Sequence, residues 1–185
     1  LARLLTPKEF GLIGILAIFI GISQSFINSG FSQALIREQD CTQKDYSTVF
    51  YFNIVVGFLF YLFLFASAGA IGNFFSEPIL KQLIRVLGMS LIINSFTLIQ
   101  TTILTKRIDF KLQAKISIIT SLLAGIIGIG MAYTGWGVWS LVARITLGFL
   151  FSSVFLWYWN KWRPSLVFSV ASFKKLFAFG SNLLI

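Results

Sequence analysis

Apolar residues along this chain fall into long uncharged runs separated by short charged breaks, with no alternation of period two. Residues 10–36 form a run of 27, 46–76 a run of 31, 86–105 a run of 20 and 116–143 a run of 28. A helix needs about 20 mostly apolar residues to cross a hydrocarbon core about 30 Å thick, at about 1.5 Å per residue. Each of these runs therefore predicts a transmembrane helix. The run 145–160 has 16 residues, but it continues backward through Arg144 to Gly137, where Thr134-Gly135-Trp136-Gly137 breaks it from its neighbour. That makes five spans. Transmembrane strands would show segments of about 10 alternating residues, and these runs are far longer.

The breaks carry helix-start chemistry. Thr6-Pro7-Lys8-Glu9 has the form of a capping box with proline at the first helical position, and Thr42-Gln43-Lys44-Asp45 has the same form with an acidic third residue. Pro78, and Asp109 before Phe110, mark two further starts. A last apolar stretch, 176–185, predicts the start of a sixth span. It ends while still apolar and Leu1 is not an initiator methionine, so the sequence reads as cut at both ends. The first run is too long for a secretory signal and lacks a small-residue cleavage pattern.

Basic residues set the orientation. Arg37 and Lys44, then Lys106, Arg107, Lys111 and Lys115, then Lys161, Arg163, Lys174 and Lys175 follow spans one, three and five, against Arg3, Lys8, Lys81 and Arg85 on the other side. Excess Lys and Arg mark the cytoplasmic face, which predicts segments 37–45, 104–115 and 160–175 to be cytoplasmic. Trp136 and Trp139 at one end of the fifth span, and Trp157, Trp159 and Trp162 at the other, suit headgroup anchoring.

Composition excludes several functions. With 57% hydrophobic and 11% charged residues and a mean hydropathy of +0.86, the chain lacks the polar surface of a soluble domain. The net charge of +9 is spread over loop clusters, as expected beside anionic lipid and not in a nucleic-acid groove. Histidine is absent and Cys41 is the single cysteine, so no intrachain disulfide, zinc cluster or Cys/His pair can form; Cys41 reads as a spectator thiol.

Polar residues inside the spans are the candidate chemistry. Gly21, Ser25, Asn28 and Ser32 share one helical face with Gln24 beside it, and Ser90, Asn94, Thr97 and Thr101 repeat the pattern in the third span. Small residues let membrane helices approach closely, whereas the carboxamides of Gln24 and Asn28 need partners, either across a helix contact or in a wet cavity. Asn53 and Gly57 pair in the second span. Ser117, Ser121, Gly125, Gly128 and Ala132 read as a packing face. Arg144 is the one full charge well inside a span, about 10 Å from its outer end. Burying such a cation costs at least about 2.5 kcal/mol, so it either faces a bundle interior or snorkels to the headgroups. Ser140, Gly148 and Ser152 share its face. All six acidic residues, Glu9, Glu38, Asp40, Asp45, Glu77 and Asp109, lie in loops or at helix ends. A neutral to positive interior suits an anionic cargo such as a phosphate.

The stretch ARLLTPKEFGLIGILAIFIGISQSFINSGFSQALI at 2–36 and DYSTVFYFN at 45–53, then FFSEPIL at 74–80, LIINSFTLIQTTILTKRIDFKLQAKIS at 91–117, GWGVWSLVAR at 135–144 and KWRP at 161–164, resemble Wzx-like polysaccharide flippases. These form the polysaccharide transport branch of the multidrug/oligosaccharidyl-lipid/polysaccharide (MOP) exporter superfamily. The resemblance implies an all-α, polytopic helical bundle: helices two to six of a MATE-like N-terminal lobe at 1–160, a cytoplasmic linker at 161–176 and the start of a second lobe at 177–185. It implies a multi-pass inner-membrane carrier, without enzymatic chemistry or cofactor, that moves undecaprenyl-pyrophosphate-linked oligosaccharide by alternating access. A polysaccharide polymerase and a chain-length regulator are its implied partners. The cationic lumen of the family then corresponds to Arg144, with Asn28, Gln24, Asn53 and Asn94 as polar lining. Two rivals stay open: a multidrug or cation exporter of the same superfamily, which needs an intramembrane carboxylate, and a membrane-embedded polysaccharide polymerase or glycosyltransferase, which needs larger loops than these.

Overall fold

A computed structural model describes residues 5–28, 30–38 and 40–181; the side chains at 178–181 are not described. The elements are α1 (Pro7–Asn28), α2 (Phe31–Arg37), α3 (Gln43–Phe74), α4 (Ile79–Lys106), α5 (Phe110–Tyr133), α6 (Val138–Trp159) and α7 (Val170–Ser181). No strand occurs among the described residues. Five helices, α1, α3, α4, α5 and α6, are long and apolar enough to cross a bilayer, matching the five predicted spans.

Helix starts follow the local chemistry. Glu9 Oε2 accepts from Thr6 N at 2.7 Å and Thr6 Oγ1 at 2.9 Å, and Asp45 Oδ2 does the same for Thr42 at 2.8 Å each. Asp109 Oδ1 accepts from Leu112 N at 3.1 Å. Helix ends share one device. In the turns after α3, α4 and α5, Glu77 N reaches Gly72 O, Asp109 N reaches Leu104 O and Trp136 N reaches Met131 O, at 3.0, 3.0 and 3.1 Å. Each six-residue bond closes over a left-handed residue: Ser76, Ile108 and Gly135, with φ of 53°, 58° and 82°. A β-branched side chain makes that conformation costly at Ile108.

Three boundaries differ from the apolar runs. The first run is not one helix: α1 stops at Asn28, and Gly30, at φ 74°, redirects the chain into α2. Hydropathy cannot register that break, because both sides of it are uncharged and glycine adopts the left-handed turn at little cost. The helix of the third predicted span begins at Ile79, well before its uncharged run, so Lys81 and Arg85 lie inside α4. The Arg85 guanidinium sits 4.1 Å from the Phe65 ring centroid, held by an aromatic face of α3. Finally α7 begins at Val170, inside the segment expected to be a linker. Of the expected second-lobe start at 177–185, residues 182–185 lie outside the described residues.

Helix α4 is the hub, packing on α3, α6, α1 and α2. Helices α3 and α4 run antiparallel at glycine-limited distance. A Cβ on Gly57 would fall 2.1 Å from Ser95 Oγ, and one on Gly88 3.2 Å from Tyr61 Cδ2. Between α5 and α6 a Cβ on Gly128 would fall 2.9 Å from Arg144 Cβ and 3.3 Å from Ser140 O.

The two ends of the bundle group the loops as the charge pattern predicts. At one end Lys8 and Glu77 pair at 2.6 Å, and Glu9 lies beside Gly137. At the other end the basic segments converge, and residues 160–169 form a strap across the start of α3. Gln43 Oε1 accepts from Trp162 Nε1 at 2.7 Å, and Gln43 Nε2 donates to Arg163 O at 2.6 Å. Ser165 N and Ser169 N donate to Ser47 Oγ and Thr48 Oγ1 at 2.9 and 3.0 Å. Phe31 is fully buried there, against Phe52 and against Phe173 of α7.

Candidate functional site

Polar side chains at helical spacing meet in three adjoining cavities. The first, about 690 Å³, lies between α1, α2 and α4 and takes Gln24 and Asn28, one turn apart on α1, together with Gln33, Asn94, Thr97 and Thr101. The left-handed turn at Gly30 brings Ser32 and Gln33 of α2 into its wall. The second, about 430 Å³, lies between α4, α5 and α6 and shares Thr101 with the first. The third, about 400 Å³, lies between α5 and α6, shares Thr120 and Ser152 with the second, and contains Arg144. The shared residues place the three cavities in one row from Gln24 to Arg144, a trough whose first part is about half polar and whose other two parts are mainly apolar, with Ile145 and Phe149 beside Arg144 and Phe110 and Leu156 in the second cavity.

Charge along the trough is uneven. Arg144 is the single charged residue in the walls of the three cavities, and none of the six acidic residues lines them. Its stem crosses Gly128, where the absence of a side chain lets α6 approach α5. The residue is exposed, and no ion pair holds it among the described residues. An unpaired guanidinium offers five donors in a planar fork suited to phosphate oxygens.

Four of the five expected site residues therefore lie along one trough, with Gln24, Asn28 and Asn94 together in the first cavity and Arg144 two cavities away. Asn53 does not join them. It is fully buried on the face of α3 that carries Gly57, and neither its Nδ2 nor its Oδ1 has a partner among the described residues. Its spacing to Gly57 placed it correctly on a helix face, but that face packs on α4, as the contact of Gly57 with Ser95 shows. Ser140, on the predicted Arg144 face, is likewise buried, with its hydroxyl bonded to Gly137 O at 2.7 Å.

Gln33, Gln113 and Thr120 line the trough without having been singled out by spacing. Gln33 was obscured because the turn at Gly30 resets the helical phase after Asn28. Gln113, Ser117 and Thr120 follow steps of four and three, a signal the sequence does contain. Ser117 and Ser121, expected only to pack, face cavities, whereas Gly128 packs as expected. A second polar set carries no spacing signal along the chain, because its partners lie about sixty residues apart. Asn160 Nδ2 donates to Gln100 O at 3.3 Å, and Trp157 Nε1 donates to Phe96 O at 3.1 Å, tying α6 to α4. Trp157 and Trp162 thus make specific protein hydrogen bonds beyond any headgroup role. Cys41 Sγ bonds the carbonyls of Leu35 and Glu38 at 3.4 and 3.3 Å, in keeping with a spectator thiol.

Comparison with known proteins adds an independent line. Residues 1–185 match the family described as polysaccharide biosynthesis protein. The succinoglycan biosynthesis transport protein ExoT of Rhizobium meliloti is 26% identical over 97% of this chain and 37% of its own length. The teichuronic acid biosynthesis protein TuaB of Bacillus subtilis is 28% identical over 86% of this chain and 33% of its own. The lipopolysaccharide biosynthesis protein WzxC of Escherichia coli is 24% identical over 98% of this chain and 37% of its own. The chain thus spans about a third of the length of the curated relatives it matches. No solved structure matches it.

Proposed function

The chain belongs to the polysaccharide biosynthesis protein family, and from that premise we propose that it forms part of an inner-membrane flippase for lipid-linked oligosaccharide, with the basic end of the bundle in the cytoplasm. The cargo is an undecaprenyl-pyrophosphate-linked repeat unit, and alternating access moves it across. The trough is the part of the translocation path that this chain contributes.

One observation carries this reading: three adjoining cavities, linked by the shared residues Thr101, Thr120 and Ser152, hold a lone arginine without an ion pair among the described residues and have no carboxylate in their walls. A pyrophosphate docked on Arg144 can leave bulk water without losing all its hydrogen bonds, while its lipid tail stays in hydrocarbon. No covalent bond forms or breaks, so the site acts as a carrier and not as an enzyme. Gln24, Asn28 and Asn94 supply uncharged polar contacts along the same path. Asn53 is too deeply packed to do so.

The test is Arg144→Ala in cells carrying the full-length protein, read as surface polysaccharide at equal protein level. The expected result is at least a tenfold loss, with Arg144→Lys retaining part of the export because it keeps the charge and loses the planar fork. Wild-type polysaccharide from Arg144→Ala would remove the anion-binding role.

A further inference from the structure

The hydroxyls of the first cavity differ from Arg144 in what they can offer a ligand. Ser25 Oγ lies 3.0 Å from Gly21 O, and the Oγ1 atoms of Thr97, Thr101, Thr102 and Thr105 lie 2.7, 3.1, 2.8 and 3.0 Å from Asn94 O, Thr97 O, Leu98 O and Thr101 O. A carbonyl oxygen can only accept, so each of these hydroxyls has committed its proton to its own helix. What remains for a ligand is their lone pairs, except that Thr105 Oγ1 already accepts from Gln113 Nε2 at 3.0 Å; the Ser32 hydroxyl in the same wall has no partner among the described residues. Donors in this cavity come chiefly from carboxamides: Gln24, Asn28 and Gln33 make no side-chain hydrogen bond among the described residues.

A wall rich in acceptors and free of charge is poorly matched to phosphate, which brings acceptors alone and needs donors or cations. It is well matched to a saccharide, whose many O–H groups donate to the spent hydroxyls while its ring and hydroxyl oxygens accept from the carboxamides. The volume of about 690 Å³ falls inside the range of about 300–1,000 Å³ typical of small-molecule sites. Arg144 stands two cavities away, so the cationic and the neutral halves of the trough are separate places on the protein.

We infer that the cavity between α1, α2 and α4 is a sugar subsite, which takes uncharged saccharide units through their hydroxyls and leaves the pyrophosphate to Arg144. The inference rests on the carrier reading and divides the cargo's headgroup between two parts of the trough.

The experiment uses full-length protein in lipid nanodiscs and two probes, undecaprenyl pyrophosphate and the same lipid bearing a neutral tetrasaccharide long enough to reach past the first sugar, with affinities from native mass spectrometry. Wild-type protein is expected to bind the tetrasaccharide-bearing lipid at least tenfold more tightly than the bare one. Thr97→Val with Thr101→Val keeps side-chain shape and removes two acceptors, and should bring that ratio toward one. Equal affinity of the two lipids for wild-type protein overturns the sugar subsite and leaves the carrier reading intact, whether or not the double variant folds. A ratio unchanged in the folded double variant overturns it as well. Binding of neither lipid to wild-type protein removes the carrier reading, and the subsite with it.

Discussion

The strapped end of the bundle and the trough are both rich in polar side chains, yet they use them in opposite ways. At the strapped end, hydrogen bonds join elements far apart in sequence: Gln43 to Trp162 and Arg163, Ser47 and Thr48 to the strap, Asn160 to Gln100 and Lys106 to Leu35 O and Glu38 O. In the trough, the hydroxyls bond carbonyls three or four residues back on their own helix, and a single link between helices, from Gln113 Nε2 to Thr105 Oγ1 at 3.0 Å, appears among the described residues. Bonds between elements hold a fixed arrangement. Bonds within one helix leave neighbouring helices free to separate and the remaining lone pairs free for a ligand. The strapped end is therefore a frame and the trough a binding surface, and polarity alone does not tell them apart.

Substitutions can test that division, read as unfolding free energy of the full-length protein by detergent titration in mixed micelles. Phe31→Ala has the largest expected effect, a loss of about 3 kcal/mol, because the ring is fully buried between Phe52 and Phe173 and leaves a cavity that three elements cannot jointly close. Asn160→Leu should cost about 2 kcal/mol, since the buried carboxamide that ties the end of α6 to Gln100 O and accepts from Trp162 N is lost, leaving that N–H without its partner. Gln43→Ala removes two bonds to the strap at a more exposed site and should cost about 1 kcal/mol. Ile108→Gly should act in the other direction, adding about 1 kcal/mol by relieving the left-handed β-branched residue in the α4–α5 turn. Thr102→Val should change stability by no more than about 0.5 kcal/mol, because its bond is internal to α4. A Thr102→Val cost equal to that of Asn160→Leu would erase the distinction between frame and binding surface.

Much of the frame was legible along the chain. The five spans follow from apolar run length, and the starts of α1, α3 and α5 from Thr6, Thr42 and Asp109, since capping is a matter of residues three apart. The turn at Gly30 was not legible, because an uncharged glycine within an apolar run changes direction without changing hydropathy. Nor was the left-handed Ile108 in the turn after α4, where the six-residue closing bond forces a conformation that isoleucine disfavours.

The candidate site was legible in part, and the limit has a physical cause. Spacing by three and four put Asn28 with Gln24, Asn94 with Thr97 and Asn53 with Gly57, each pair correctly on one helix face. Periodicity assigns residues to a face but not the direction in which that face points. Asn28 and Asn94 face a common cavity, whereas Asn53 turns into the α3–α4 contact that Gly57 brings close.

The amino-acid sequence by itself determined that this protein is a bundle of membrane helices, because transfer into lipid depends on each residue's own polarity and adds up along a segment. It also determined that no carboxylate lies within the long uncharged runs, whereas Arg144 interrupts the stretch that forms α6. Which polar residues meet, and that Arg144 and the carboxamides share one trough while Asn53 is packed away, was decided only by the tertiary structure. Helix rotation is set by contacts such as Gly57 on Ser95 and Gly128 on Arg144, made between segments far apart in sequence.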